Sequence, residues 1–430
     1  MAGIPLFLFL FIFLSPLWSK TLDVATSSDH VILINAKDGA ILYEKNPNQK
    51  TFPASTTKIA TALYALTLKG KELDATFTAS QNAIATITPQ AKRQSNFRAP
   101  AYLNETDGTH MSIKRGEEIS FYELLCGMLI ASANDAANVV AENIGGSIPE
   151  FMEGLNKYLK QIGCLNTHFC NPHGLYHPEH QTSAYDMALI SQKAMEIPVF
   201  REIVSKATHT IPKTNFEYER KLMNTNALIR KGPRFYAKAI GIKTGYTSQA
   251  GKNLVAGAED SERTLIAVVL AAPSIQERFD DAVRLFEAAF TEKKMRQHLF
   301  SAGEGVFKRK VPHGKKELVA FLPEGLYYDF YPSEKKSVKA RISWNIPPLP
   351  IEKGASVGFA KIFDDKGLEI KKTLLVAKER VEPTLRYRFA QLIKERKKAL
   401  FFVTSGFFIL FVILSLRRRS SRKSSRRPLF

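Results

Sequence analysis

Three cysteines among 430 residues are too few for a disulfide framework. The chain has no Gly-x-Ser-x-Gly elbow and no Walker-type loop, so an α/β-hydrolase or a nucleoside triphosphatase has no support. It has no internal repeat, and no low-complexity segment outside the C-terminal tail. Long disorder is excluded by what is present: 45% hydrophobic and 24% charged residues, a globular balance with material for a real core. The length predicts two or three domains. A formal charge of +20 first suggests a nucleic-acid partner, but the charge is not spread over a face. Residues 417–430 hold seven positive charges and no negative one, and residues 386–398 hold six against Glu395. These two segments account for +12 of the +20, leaving +8 over the first 385 residues. An excess so local points to a membrane flank and to no nucleic acid.

Both ends of the chain carry apolar runs. Ile4 to Leu14 is too short to cross a ~30 Å hydrocarbon core but fits the h-region of a signal peptide covering residues 1–19, with cleavage after Ser19. The n-region lacks Lys and Arg, which also leaves a buried strand or short anchor open. Residues 399–416 are uncharged and just long enough to span a membrane as a helix. Seven positives follow them, which places the tail, residues 417–430, in the cytoplasm. The expected topology is an envelope protein held by a C-terminal transmembrane helix. Its body lies on the periplasmic side of the cytoplasmic membrane, and residues 386–398 form a basic juxtamembrane linker.

Between the anchors, His30 to Glu44 reads as a hairpin turning at Asp38-Gly39. Lys58 to Leu68, Glu118 to Ile130, Ile148 to Ile162 and Asp280 to Phe290 read as helices, and Leu265 to Leu270 as a buried strand. Residues 83–116 show little periodicity and read as loop with short elements. Beyond residue 295 short alternating stretches such as Val338 to Ile342 and Val357 to Phe363 indicate a small β domain, residues 296–385, without a catalytic constellation. Residues 21–295 form the main domain.

Three short motifs in that domain carry chemistry. Ser55-Thr56-Thr57-Lys58 places a hydroxyl and an amine one helical turn apart, on the same side. Such a lysine can take the serine proton if burial and neighbouring positive charge lower its pKa. Ser132-Ala133-Asn134 and Lys243-Thr244-Gly245 follow in order. Ser-x-x-Lys recurs at Ser333/Lys336 and Ser420/Lys423, and Ser-x-Asn at Ser80/Asn82 and Ser343/Asn345, so neither is specific alone. Only one set has the ordered combination within the main domain.

At these residues the chain resembles the penicillin-binding protein and β-lactamase superfamily, and more narrowly the low-molecular-mass, type-5-like D-alanyl-D-alanine carboxypeptidases. Pro53 to Lys58, Asn171-Pro-His-Gly-Leu175, Asn224-Thr-Asn226 and Gly241 to Thr247 match that pattern. The resemblance implies a multidomain α and β protein. Its catalytic domain would be an antiparallel sheet flanked by helices plus a helical lobe, followed by a small all-β domain. It implies Ser55 as nucleophile, Lys58 as general base and Ser132 as proton relay. Asn134, Lys243, Thr244 and Gly245 would contact substrate, the backbone N–H groups of Ser55 and Tyr246 would form the oxyanion hole, and His173 would lie in a cleft loop. No cofactor is implied. The substrate would be a peptidoglycan stem peptide losing its terminal D-alanine, and β-lactams would inhibit. The partner of the β domain is left open.

Weaker signals stand beside this set. His173, His177 and His180 fall within eight residues, a spacing open to zinc and to a metallopeptidase, although Gly174 and Pro178 break any helix that would stack them. A binding protein that does not cleave is the other alternative, opposed by nucleophile and base being kept together. Met152 stands where a class A β-lactamase would need glutamate. Cys164 and Cys170 close a loop that a disulfide could bridge, their distance being unreadable from sequence. Cys126 reads as a core thiol, and Asp186 as a residue that starts or supports a helix.

Overall fold

The computed structural model describes residues 21–424, except 217, 304–305, 335–336 and 365–366, and without the side chains of 398–404 and 416–424. The signal segment and the end of the basic tail lie outside the described residues. The chain divides into two units. One runs to Lys294 and takes in the short return Tyr331–Lys335; the other comprises Met295–Phe330 and the chain from Lys336 onward.

The first unit is built on a five-stranded antiparallel sheet. Its strands are β1 (His30–Asn35), β2 (Ile41–Lys45), β3 (Ala239–Thr247), β4 (Gly251–Glu259) and β5 (Thr264–Ala272), in the order β2-β1-β5-β4-β3. The β1 segment, His-Val-Ile-Leu-Ile-Asn, is apolar at successive positions because both faces of the sheet are covered. Alternation then assigns each residue to a face. Ile32 and Ile34 join Ile266 and Val268 in one core, while Val31 and Leu33 join Ala267 and Val269 in the other. The register pairs Val31 with Val269 and Leu33 with Ala267. Slipping it by one residue would exchange the two cores. The expected hairpin turns at Gly39, whose φ of 77° suits a residue without Cβ.

Helices cover both faces. Behind the sheet lies α6 (Ile275–Phe290), with Phe279, Leu285 and Phe286 buried. The other core holds the helical lobe: α1 (Thr57–Lys69), α2 (Phe121–Leu129), α3 (Asn134–Gly145), α4 (Ile148–Gln161) and α5 (Ala184–Met195). Two sequence readings of helix starts are corrected. Glu118–Ser120 is a strand paired with Thr76–Thr78, and the helix begins only after Ser120, whose hydroxyl accepts a hydrogen bond from the Glu123 N–H. Likewise α6 starts five residues before Asp280, where Ser274 caps it by accepting from the Glu277 N–H. In both cases a serine cap decides the boundary, with a glutamate three residues on.

The second unit contains β6 (Phe307–Arg309), β7 (Leu318–Phe321), β8 (Lys339–Trp344), β9 (Ser356–Phe363) and β10 (Glu369–Ala377). They form a sheet in the order β6-β7-β10-β9-β8, over a core of Leu318, Ala320, Val357, Ile362 and Leu375. A helix, α7 (Leu385–Ser424), follows. Among the described residues no helix is long and apolar enough to cross a membrane. The segment expected to span, 399–416, lies within α7, and the side chains of 399–404 and 416 are outside the described residues.

Candidate active site

The chain enters the site through Pro53 and a single 3-10 turn, Ala54–Thr56, that runs directly into α1. Neither helical start has a side-chain cap, so N–H groups of the first turn remain for other acceptors. Ala54 holds a φ of 49°, a conformation that costs on the order of 1–2 kcal/mol for a residue with Cβ. Its surroundings impose it. Asn253, on β4, donates from Nδ2 to the carbonyls of Phe52 (2.8 Å) and Pro53 (2.9 Å). Gly174 sits so close that a Cβ there would lie 1.9 Å from the Ala54 oxygen, and a Cβ at Gly245 would lie 2.8 Å from the Pro53 oxygen. Two glycines and one asparagine therefore clamp the turn that presents Ser55.

One helical turn later, the Lys58 amine is fully buried and has three neighbours. These are the Ser55 hydroxyl at 3.1 Å, Asn134 Oδ1 at 2.7 Å and the His173 carbonyl at 2.6 Å. The last two can only accept hydrogen bonds. A neutral amine has two N–H bonds to give, and these acceptors use both, leaving its lone pair for the Ser55 O–H. Burial pushes the Lys58 pKa well below the ordinary lysine value. The positive charge of Lys243 acts in the same direction, and Asp135 opposes it. The neutral form that this geometry needs is thus the form the surroundings favour.

Ser132 and Asn134 lie at the junction of α2 and α3. Asn134 is the first residue of α3, and buried Ser132 precedes it with a φ of 66°. Asp135 holds this junction down. Its carboxylate accepts from the N–H groups of Met111 (3.1 Å) and Ile113 (3.1 Å), and so ties α3 to the stretch whose purpose was unreadable in sequence. Asn138 does the same one turn later, donating to the carbonyls of Ala83 and Tyr102. Residues 83–116 are therefore the backing of the site.

The Lys243-Thr244-Gly245 triplet lies inside β3, the edge strand of the sheet. An edge leaves one row of backbone N–H and C=O groups for an added strand. Buried Lys243 donates to the Thr244 carbonyl at 3.0 Å. Burial, with the charge of Arg278 beside it, lowers its pKa to about 7. The Thr244 hydroxyl donates to Thr225, the centre of Asn224-Thr-Asn226 (2.7 Å). The absent Gly245 side chain makes room for the Ser55 turn, since a Cβ there would also lie 3.1 Å from the Ser55 nitrogen. Tyr246 is exposed beside the hairpin turn that joins β3 to β4, with the ammonium of its cross-strand partner Lys252 3.0 Å from its ring centre.

His173 contributes its carbonyl; the ring faces away from Lys58. Ring Nδ1 accepts from the Leu175 N–H and Nε2 donates to the Tyr102 carbonyl (3.0 Å), fixing a neutral tautomer. Burial, above all, pushes its pKa well below the usual histidine value. His180 is equally committed, Nδ1 accepting from the Cys170 N–H and Nε2 donating to Thr57 Oγ1. A zinc site made of His173, His177 and His180 is thereby overturned, because two of the three rings have no nitrogen to give. The disulfide is also absent: Cys126, Cys164 and Cys170 are all free thiols. Asp186, read as starting or supporting a helix, stands in the first turn of α5, and its Oδ2 accepts from Thr167 Oγ1 (2.7 Å) in the preceding loop. Ser333, the serine of the second Ser-x-x-Lys, is buried and its hydroxyl donates to Glu292 Oε2 (2.7 Å).

Asp135, Asn138, Asn253 and Arg278 carry no motif, and only their burial as polar groups marks them. Comparison with known proteins matches this architecture. Residues 19–274 match the family D-alanyl-D-alanine carboxypeptidase, and residues 295–383 match the family Penicillin-binding protein 5, C-terminal domain. The chain is 33% identical to the D-alanyl-D-alanine carboxypeptidase DacF of Bacillus subtilis, over 70% of this chain and 71% of the relative. It is 32% identical to DacA of Haemophilus influenzae, over 76% and 78%. Among solved structures, penicillin binding protein 5 from Haemophilus influenzae superimposes with a TM-score of 0.56 at 28% identity, covering 84% of this chain and 100% of that one.

Proposed function

This chain belongs to the D-alanyl-D-alanine carboxypeptidase family of serine peptidases, and on that premise we propose that it removes the terminal D-alanine of peptidoglycan stem peptides through an acyl-enzyme on Ser55. The carrying observation is the buried Lys58 amine, with two obligate acceptors and the Ser55 hydroxyl as its neighbours. Ser55 Oγ attacks the carbonyl between the two D-alanines while Lys58 takes its proton. The oxyanion forms against the Ser55 and Tyr246 N–H groups, at an uncapped helix start where negative charge is favoured. Ser132 passes the proton to the leaving amine. Lys243 and Thr244 hold the terminal carboxylate, and the stem peptide lies along the free edge of β3 next to Asn134. Water then cleaves the ester, returning Ser55 and releasing a peptide one residue shorter.

A β-lactam takes the same path as far as the acyl-enzyme, and in our reading it stays there. After brief exposure of the full chain to penicillin, mass spectrometry should find one adduct, on Ser55, that is missing in Ser55→Ala. D-alanine release from a model stem peptide should disappear with it. A folded protein that takes no adduct would remove the serine mechanism.

In the same reading, residues 1–19 export the chain and residues 399–416 anchor it, leaving the catalytic unit outside the cytoplasmic membrane. Support comes from the exposure of eight consecutive large apolar side chains, Phe407 to Leu414, on α7, between two basic segments. Extraction from membranes by detergent but not by high salt or carbonate, lost on truncation at residue 385, tests it.

A further inference from the structure

The loop that carries the His173 carbonyl is flanked by residues with no part in the reaction. Cys170, His177 and Glu179 bring one sulfur, one ring nitrogen and one carboxylate oxygen within 4.8 Å of one another. Cys170 Sγ lies 3.4 Å from His177 Nδ1. That nitrogen accepts the Glu179 N–H at 3.2 Å and is therefore the unprotonated one, and the ring stands edge-on to Phe97 with centroids 5.9 Å apart. The three groups line an open pocket of about 640 Å³ with His168 and Glu153, so an ion and a water ligand can enter.

We propose that Cys170, His177 and Glu179 bind one zinc ion, with solvent in the fourth position. Thiolate, imidazole and carboxylate in a tetrahedral set suit zinc better than calcium or magnesium, which take oxygen alone. Binding releases the Cys170 thiol proton to solvent, and the ion takes the place of the long Glu179 N–H contact on His177. The ion staples residues 170–179 into a ring. Within that ring His173 and Gly174 face Lys58 and Ala54, so the site stabilises the loop that braces the nucleophile.

Thiol chemistry on the full-length protein tests this without reference to catalysis. Cys126 and Cys164 are completely buried and Cys170 is partly exposed, so one thiol per folded chain should react with a disulfide reagent, and none in Cys170→Ser. Equimolar zinc should slow that reaction at least tenfold. In His177→Ala the thiol should still react, but zinc should no longer protect it; Glu179→Gln should weaken protection. Cobalt should give a thiolate charge-transfer band that Cys170→Ser abolishes. Unchanged thiol reactivity at micromolar zinc, or protection that survives His177→Ala, would overturn the site.

Discussion

At the scale of single residues, the two buried lysines set the pH behaviour. In the proposed mechanism Lys58 acts as a neutral base, so acylation should fall on the acid side as it is protonated. The same mechanism needs Lys243 as a cation, and with a pKa lowered to about 7 it should lose charge above neutrality in the free enzyme. The kcat/KM profile for D-alanine release is therefore expected to be bell-shaped, and Lys243→Arg should move its alkaline limb upward, which stopped-flow acylation can read. The stability consequence has a definite sign. A lysine whose pKa is about 7 folded and 10.5 unfolded binds fewer protons in the native state between those values. Stability from this group therefore rises with pH across that window and is lost on descending through it. Lys243→Met should raise stability by about 1–2 kcal/mol at pH 7, with the gain shrinking toward pH 10, while penicillin acylation collapses. Thermal melts at several pH values check this.

At the scale of elements, the nucleophile depends on close approach of three chain segments. A methyl at Gly174 would fall inside the Ala54 carbonyl at a φ of 92°, and one at Gly245 would press on the Pro53 oxygen. Gly174→Ala should cost about 3 kcal/mol or more and slow acylation beyond its effect on folding; Gly245→Ala should act in the same direction but less severely. Urea melts paired with acylation rates separate the two effects. Asp135 is the tie between α3 and the 83–116 stretch. Asp135→Asn keeps its shape but leaves backbone N–H groups facing a weaker acceptor, at a cost of about 1–3 kcal/mol. The Ser132–Asn134 junction should loosen with it, seen as faster amide exchange at Met111 and Ile113.

At the scale of the whole molecule, the chain leaves the first unit at Lys294 and comes back to it for five residues. Buried Arg263 depends on that return: its guanidinium is 3.6 Å from the Tyr331 ring centre and pairs with Glu334 (3.3 Å) as well as Glu292 (3.5 Å). Glu334 also accepts from Asn35 Nδ2. A Tyr331→Ala/Glu334→Ala double variant should leave Arg263 under-paired and lower Tm by several degrees, with the rate of Ser55 acylation unchanged. Calorimetry alongside penicillin labelling distinguishes the outcomes.

By itself the sequence determined the motifs and their order: the one-turn spacing of Ser55 and Lys58, the later Ser132/Asn134 and Lys243/Thr244 pairs, and the apolar β1 and β5. These are local patterns, written by helical and strand periodicity and by side-chain type. It misjudged where helices begin at Ser120 and Ser274, since a cap outweighs periodicity over the first turn. Tertiary structure alone decided what makes the chemistry possible. The burial that lowers the Lys58 and Lys243 pKa values, the clamp of Gly174, Gly245 and Asn253 on Ala54, and the backing role of residues 83–116 all join positions distant in the chain. So does the commitment of the His173 and His180 rings, which leaves His177 to Cys170. Distances and desolvation exist only once the chain is folded, and no spacing along it encodes them.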